Sequence, residues 1–141
     1  MSNRVGPATV LVIEDNQIIR ALLQDLLQDS GFRPIIASGI AEALALAPGG
    51  TPDAILTDTF GISPGSTDVS FLKPLLTAWP GVPIILCTAR KELDGISPRS
   101  VGLFAVIMKP FNVDDVVAAV EQAVSLDRDR DPAAAFPRRV S

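Results

Sequence analysis

The stretch Thr9-Val10-Leu11-Val12-Ile13-Glu14-Asp15 decides the fold. Five β-branched or apolar residues run together without polar alternation, and two carboxylates follow at once. A strand that is apolar at every position is buried on both faces, as in a parallel sheet covered by helices on each side. The next stretch changes period. Over 17–29, Ile18, Leu22, Leu23, Leu26 and Leu27 share one face of a helix. Asn16 stands where a helix cap is wanted, and Gly31 where a left-handed residue ends the last turn.

The same alternation continues along the chain. Strands are expected at 33–37, 53–58, 82–88 and 104–108, and helices at 39–47, 69–79 and 113–126. Pro48-Gly49-Gly50 stops the second helix, and Pro74 forces the third to start late or kink. Asn112 is placed to cap the last helix, with Asp114 and Asp115 at the positive end of its dipole. Between Thr88 and Phe104 a helix is poorly written. Gly95 and Pro98 oppose it and its apolar residues lack a helical period, so a short, irregular or mobile helix is expected. Strands alternating with helices imply right-handed βαβ units, hence an α/β, doubly wound parallel sheet. The division expected is a flexible start at 1–7, one domain at 8–126 and a flexible tail at 127–141, with no output domain.

Composition narrows the function. The chain has 141 residues, of which 48% are hydrophobic and 20% charged, enough for one domain with a real core. Its net charge of −4, with no basic stripe, argues against DNA binding. The longest uncharged stretch near the third helix is broken by prolines, which argues against a membrane span. A single cysteine, Cys87, inside an apolar strand excludes an internal disulfide and fits a reducing cytoplasm. There is no histidine, so the usual general base and zinc ligand are absent.

What remains is a set of strand ends. Glu14 and Asp15 close the first strand, Asp58 the third, Thr88 the fourth and Lys109 the fifth. In a doubly wound sheet these ends meet on one edge, where ligands bind. Crowded carboxylates call for a cation, and all-oxygen donors with room for water favour Mg2+. With Lys109 and Thr88 beside it, such a site suits a phosphoryl group, whose transfer depends on positioning and charge neutralisation.

These residues carry a resemblance. The acidic pair Glu14-Asp15, the strand-end Asp58, the Thr88-Ala89 step and Lys109-Pro110-Phe111, in this order over 8–126, resemble the receiver (response regulator) domain of bacterial two-component signalling, of the stand-alone type. The resemblance implies a (βα)5 flavodoxin-like sheet of order 2-1-3-4-5. It implies that Asp58 accepts a phosphoryl group from a phosphohistidine on a histidine kinase or histidine phosphotransfer protein. It implies Mg2+ held by Asp15, Asp58 and the Phe60 backbone carbonyl, with Glu14 reaching the ion through water. Lys109 and Thr88 would contact the phosphoryl group. A cis Lys109-Pro110 bond would place the ammonium. Output would pass to an unknown downstream protein by contact or onward transfer, and a homodimer is compatible with this.

The chain also departs from the family pattern. An aromatic usually stands three positions before the strand-five lysine; here it is Val106. Phe104 would substitute if a regular register put it on the same side. The usual Met-Pro step after the phosphoacceptor is replaced by a loop reading Thr59-Phe60-Gly61-Ile62-Ser63-Pro64-Gly65. With the weak helix after Thr88, these departures point either to a changed signalling mode or to sequence drift that leaves the ordinary switch intact. Phe60 and Arg90 flank the phosphoryl site in the family and tune its lifetime; a Phe that excludes water and an Arg on the phosphoryl oxygens would give a long-lived phospho-form. Trp79, Phe32, Phe71 and Phe111 read as packing residues. Two other functions compete. One is a pseudo-receiver that keeps the fold without phosphorylation. The other, an aspartate-nucleophile phosphohydrolase, needs an acid two residues after Asp58, and Phe60 cannot move a proton. The chain therefore reads as a switch and not an enzyme.

Overall fold

Strand β1 (Thr9–Ile13) occupies the middle of a parallel sheet, between β2 (Arg33–Ala37) and β3 (Ala54–Thr57). Strands β4 (Ile84–Thr88) and β5 (Ala105–Met108) extend the β3 side, giving the order β2-β1-β3-β4-β5. This computed structural model describes residues 7–46, 49–60 and 65–128. The expectations for residues 1–6, for most of the loop after Phe60 and for 129–141 fall outside these residues.

Every residue of β1 from Val10, and all of β3 and β4, is buried. Period-two alternation sorts their side chains into two cores. Leu11, Ile13, Ile55, Ile84 and Leu86 face helices α2 (Ile40–Ala45) and α3 (Lys73–Ala78) through Ala43, Leu75 and Trp79. Val10, Val12, Ala54, Leu56, Ile85 and Cys87 face α1 (Gln17–Asp29) and α4 (Val113–Arg128) through Leu23, Leu27, Val116 and Val120. Both faces of the sheet are thus covered, as the uninterrupted apolar runs require.

Local chemistry sets the helix ends. The Asn16 side chain accepts hydrogen bonds from the Ile18 and Ile19 N–H groups, both at 3.0 Å, and caps α1. Gly31, at φ +90°, follows its last turn. Ser38 and Glu42 close the start of α2, the Glu42 carboxylate accepting from the Ser38 N–H at 2.6 Å and from its hydroxyl at 2.8 Å. Pro74 has the predicted effect. A 3-10 turn (Ser70–Leu72) comes first, and the α-helix starts only at Lys73. Helix α4 runs two residues beyond the expected 126, so Asp127 and Arg128 belong to it and not to a tail.

The connection from β4 to β5 holds no α-helix. Two 3-10 turns, Lys91–Leu93 and Pro98–Val101, replace it, separated by Gly95 at φ +91° and ended by Gly102 at φ +83°. Leu93 and Leu103 anchor the segment in the α2/α3 core. No helix among the described residues is long and apolar enough to cross a membrane.

Candidate functional site

The chain reverses direction across the sheet between β1 and β3, and that is where the carboxylates gather. Two backbone bonds hold the strand ends together: the Asp58 N–H donates to the Ile13 carbonyl at 2.9 Å, and the Lys109 N–H to the Thr88 carbonyl at 2.7 Å. Side chains from β1, β3, β4 and β5 therefore meet over one edge.

Lys109 is the hub. Its Nζ lies 2.9 Å from Glu14 Oε1 and 3.1 Å from Asp58 Oδ2. The Lys109-Pro110 bond that follows is cis. Glu14 is buried, and its second oxygen accepts from the Asn16 N–H at 3.1 Å. Burial pushes the Glu14 carboxyl above its ordinary range, against the opposing pull of the Lys109 and Asn16 hydrogen bonds, while the Asp58 charge adds to the rise. Burial pulls the Lys109 ammonium down, but its hydrogen bonds and charge interactions with Glu14 and Asp58 outweigh that and leave it raised. Lys109 stays charged and neutralises the pocket in part.

One oxygen each from Glu14, Asp15 and Asp58 lies within 4.8 Å of the others, with Glu14 buried, Asp58 half-buried and Asp15 exposed. A buried, a half-buried and an exposed hard oxygen fit an ion that keeps part of its water shell, as Mg2+ does.

The second Asp58 oxygen, Oδ1, is met by Thr59, while Lys109 meets Oδ2. Oδ1 accepts from the Thr59 N–H at 2.7 Å, with the Thr59 hydroxyl at 3.5 Å. The fully buried Thr88 hydroxyl accepts from the Arg90 N–H at 3.0 Å and lies 3.5 Å from the Thr59 hydroxyl. The pocket can thus hold a cation on one side of Asp58 and offer an ammonium and hydroxyls to incoming anionic oxygens.

A sequence model described as the response regulator receiver domain matches residues 10–121. The chain belongs to the receiver family. Receiver domains of two-component response regulators are phosphorylation-dependent signalling switches rather than catalysts, and they bind Mg2+ at an acidic pocket. Among its relatives is the DNA-binding transcriptional regulator NtrC of Escherichia coli, 34% identical over 117 residues, covering 82% of this chain and 24% of NtrC. The chain thus spans about a quarter of the length of that regulator. Sporulation initiation phosphotransferase F of Bacillus subtilis is 28% identical, covering 83% of this chain and 94% of its own. Among solved structures, the chemotaxis response regulator CheY4 of Vibrio cholerae superposes with a TM-score of 0.66 at 26% identity, covering 83% of this receiver and 98% of that chain.

The receiver fold brings together Glu14, Asp15, Asp58, Thr88 and Lys109, all named from the sequence. Phe60 sits beside them, but its ring packs edge-on to Phe71 at 6.3 Å and against the α2/α3 core. Arg90 follows Thr88, half-buried. Phe104 and Val106 do not share a side. Val106 faces the α2/α3 core, whereas Phe104 packs with the α1/α4 core. Phe104 precedes β5 and faces the same way as Ala105, so strict alternation, the condition for substitution, fails there.

Sequence reasoning missed two residues. Arg20 donates from its guanidinium to the Glu14 carbonyl at 2.8 Å, a contact that the α1 spacing could have hinted at. Thr59 carried no signal beyond its place after Asp58.

Proposed function

We propose that Asp58 of this receiver accepts a phosphoryl group from a phosphohistidine on a histidine kinase or histidine phosphotransfer protein. The observation that carries this reading is the Asp58 carboxylate, set between the Lys109 ammonium at 3.1 Å and the Glu14 and Asp15 oxygens. An Asp58 oxygen forms the new O–P bond as the P–N bond breaks, and the imidazole leaves with the electron pair. Mg2+, when bound, neutralises charge on the phosphoryl oxygens. Asp15, Asp58 and the Phe60 carbonyl would hold it directly, and Glu14 through water. Lys109 pairs with the phosphoryl oxygens from the other side, and the Thr88 hydroxyl turns to donate to them. Phe60 and Arg90 border the group and slow its loss. The product then acts on a downstream protein by contact or onward transfer, in the cytoplasm.

Phosphorylation with phosphoramidate and Mg2+, read by mass, tests this. The parent is expected to gain one phosphoryl group, and Asp58→Asn none. A parent that gains nothing and shows no Mg2+-dependent response to beryllofluoride is the outcome a pseudo-receiver would give.

A further inference from the structure

Thr88 is completely buried, and its hydroxyl already accepts from the Arg90 N–H at 3.0 Å. A buried hydroxyl must still place its own proton. Among the described residues, the side-chain oxygen in reach is Thr59 Oγ1 at 3.5 Å. Thr59 Oγ1 also lies 3.5 Å from Asp58 Oδ1, an oxygen that can only accept while the carboxylate is ionised, so electrostatics assigns the Thr59 proton to it. With the Thr59 proton on Asp58, the donors run one way: Arg90 N–H to Thr88, Thr88 to Thr59, and Thr59 to Asp58. Both links through Thr59 are long for O–H···O bonds, so a small rotation of one side chain tightens one at the expense of the other.

We propose that Thr59 is a positioning residue: its hydroxyl relays the charge state of Asp58 to Thr88 and onward to the Arg90 backbone. This rests on Asp58 being the phosphoacceptor. Phosphorylation of Asp58 to the acyl phosphate removes the carboxylate charge that attracts the Thr59 proton and places new anionic oxygens beyond it. The Thr59 proton is released from Oδ1, and Thr88 is free to donate to the phosphoryl group. The Arg90 N–H, whose acceptor is Thr88 Oγ1, feels that movement. Arg90 opens the β4–β5 connection, where the short turn Lys91–Leu93 has few helical bonds to resist a shift.

The test compares parent, Thr59→Val and Thr59→Ser with beryllofluoride and Mg2+, following the Thr88 methyl and Arg90 amide signals by NMR. Val keeps the shape and loses the hydroxyl; Ser keeps the hydroxyl. In the parent both signals should move. In Thr59→Val, where Thr59 no longer holds Thr88 at rest, the Arg90 shift should fall by about half or more and beryllofluoride affinity should rise by about threefold to tenfold, the range of one net hydrogen bond. Thr59→Ser should restore both. If the parent responds and Thr59→Val matches it at Arg90, or if Thr59→Ser behaves as Val, the relay is wrong while the phosphoacceptor reading stands. If the parent neither responds nor gains a phosphoryl group, the phosphoacceptor reading falls and takes the relay with it.

Discussion

Lys109 Nζ and Glu14 Oε1, 95 positions apart in the chain, are joined at 2.9 Å across the carboxyl edge of the sheet. The pair ties the end of β5 to the end of β1 over the central strands. Both side chains are largely shielded from water, so this contact affects stability as well as chemistry.

Removing either partner should therefore act differently. Lys109→Ala leaves the buried Glu14 charge without its ammonium and should cost about 3 kcal/mol by urea denaturation. Glu14→Gln should do the reverse without metal. Burial raises the Glu14 pKa, so its contribution is full below the ordinary glutamate range and lost as pH rises through the folded value. At neutral pH the ionised group is held at a net cost. Glu14→Gln should raise the urea midpoint of the metal-free protein and gain less from added Mg2+. A lower midpoint without metal would contradict this.

Cys87 should be inert in the folded protein. Burial first, then the negative charges of Glu14 and Asp58, push its thiol from 9.0 up to about 12, with Lys109 opposing. Iodoacetamide at about pH 8.5, near the ordinary thiol pKa, should label it only after unfolding. The unfolded thiol ionises as pH rises through 9.0 while the folded one does not until about 12. Stability present below that window is lost across it. Cys87→Ala should show a shallower alkaline decline in melting temperature.

Asn16 works twice, capping α1 through its side chain and bonding Glu14 through its N–H. Asn16→Ala should cost about 1 kcal/mol of stability from the lost cap. The backbone bond to Glu14 survives the substitution, so Mg2+ affinity by titration should change less than in Glu14→Gln.

Phosphoryl loss from the isolated protein should slow relative to a Phe60→Asn, Arg90→Glu double variant. The measurement is the decay of the phosphorylated mass after donor removal. Equal decay rates would mean that these two side chains do not shield the group.

Trp79 is buried, and its indole N–H donates to the Gly50 carbonyl at 3.2 Å. Trp79→Phe keeps most of the apolar contact and should cost about 1 kcal/mol for the unpaired carbonyl, read by thermal unfolding. The site lies at the opposite strand edge, so phosphorylation by phosphoramidate should be unchanged.

The sequence by itself determined the strands, the two long helices and the members of the acidic pocket. Those features are local. A doubly buried strand is written as an unbroken apolar run, a helix as a 3.6-residue stripe with a cap, and a site as the charged residue that ends each run. The weakness of the helix after Thr88 was legible for the same reason, in Gly95 and Pro98, though the segment forms two 3-10 turns where a short, irregular helix was expected. Tertiary structure alone decided which side chains touch. The Lys109–Glu14 pair, the Arg20 bond to the Glu14 carbonyl, the place of Thr59 between Asp58 and Thr88, and the opposite sides taken by Phe104 and Val106 all depend on strand register and on where each strand begins. A shift of one residue in a strand reverses every side chain's direction, and contacts between distant residues leave no periodic trace in the chain.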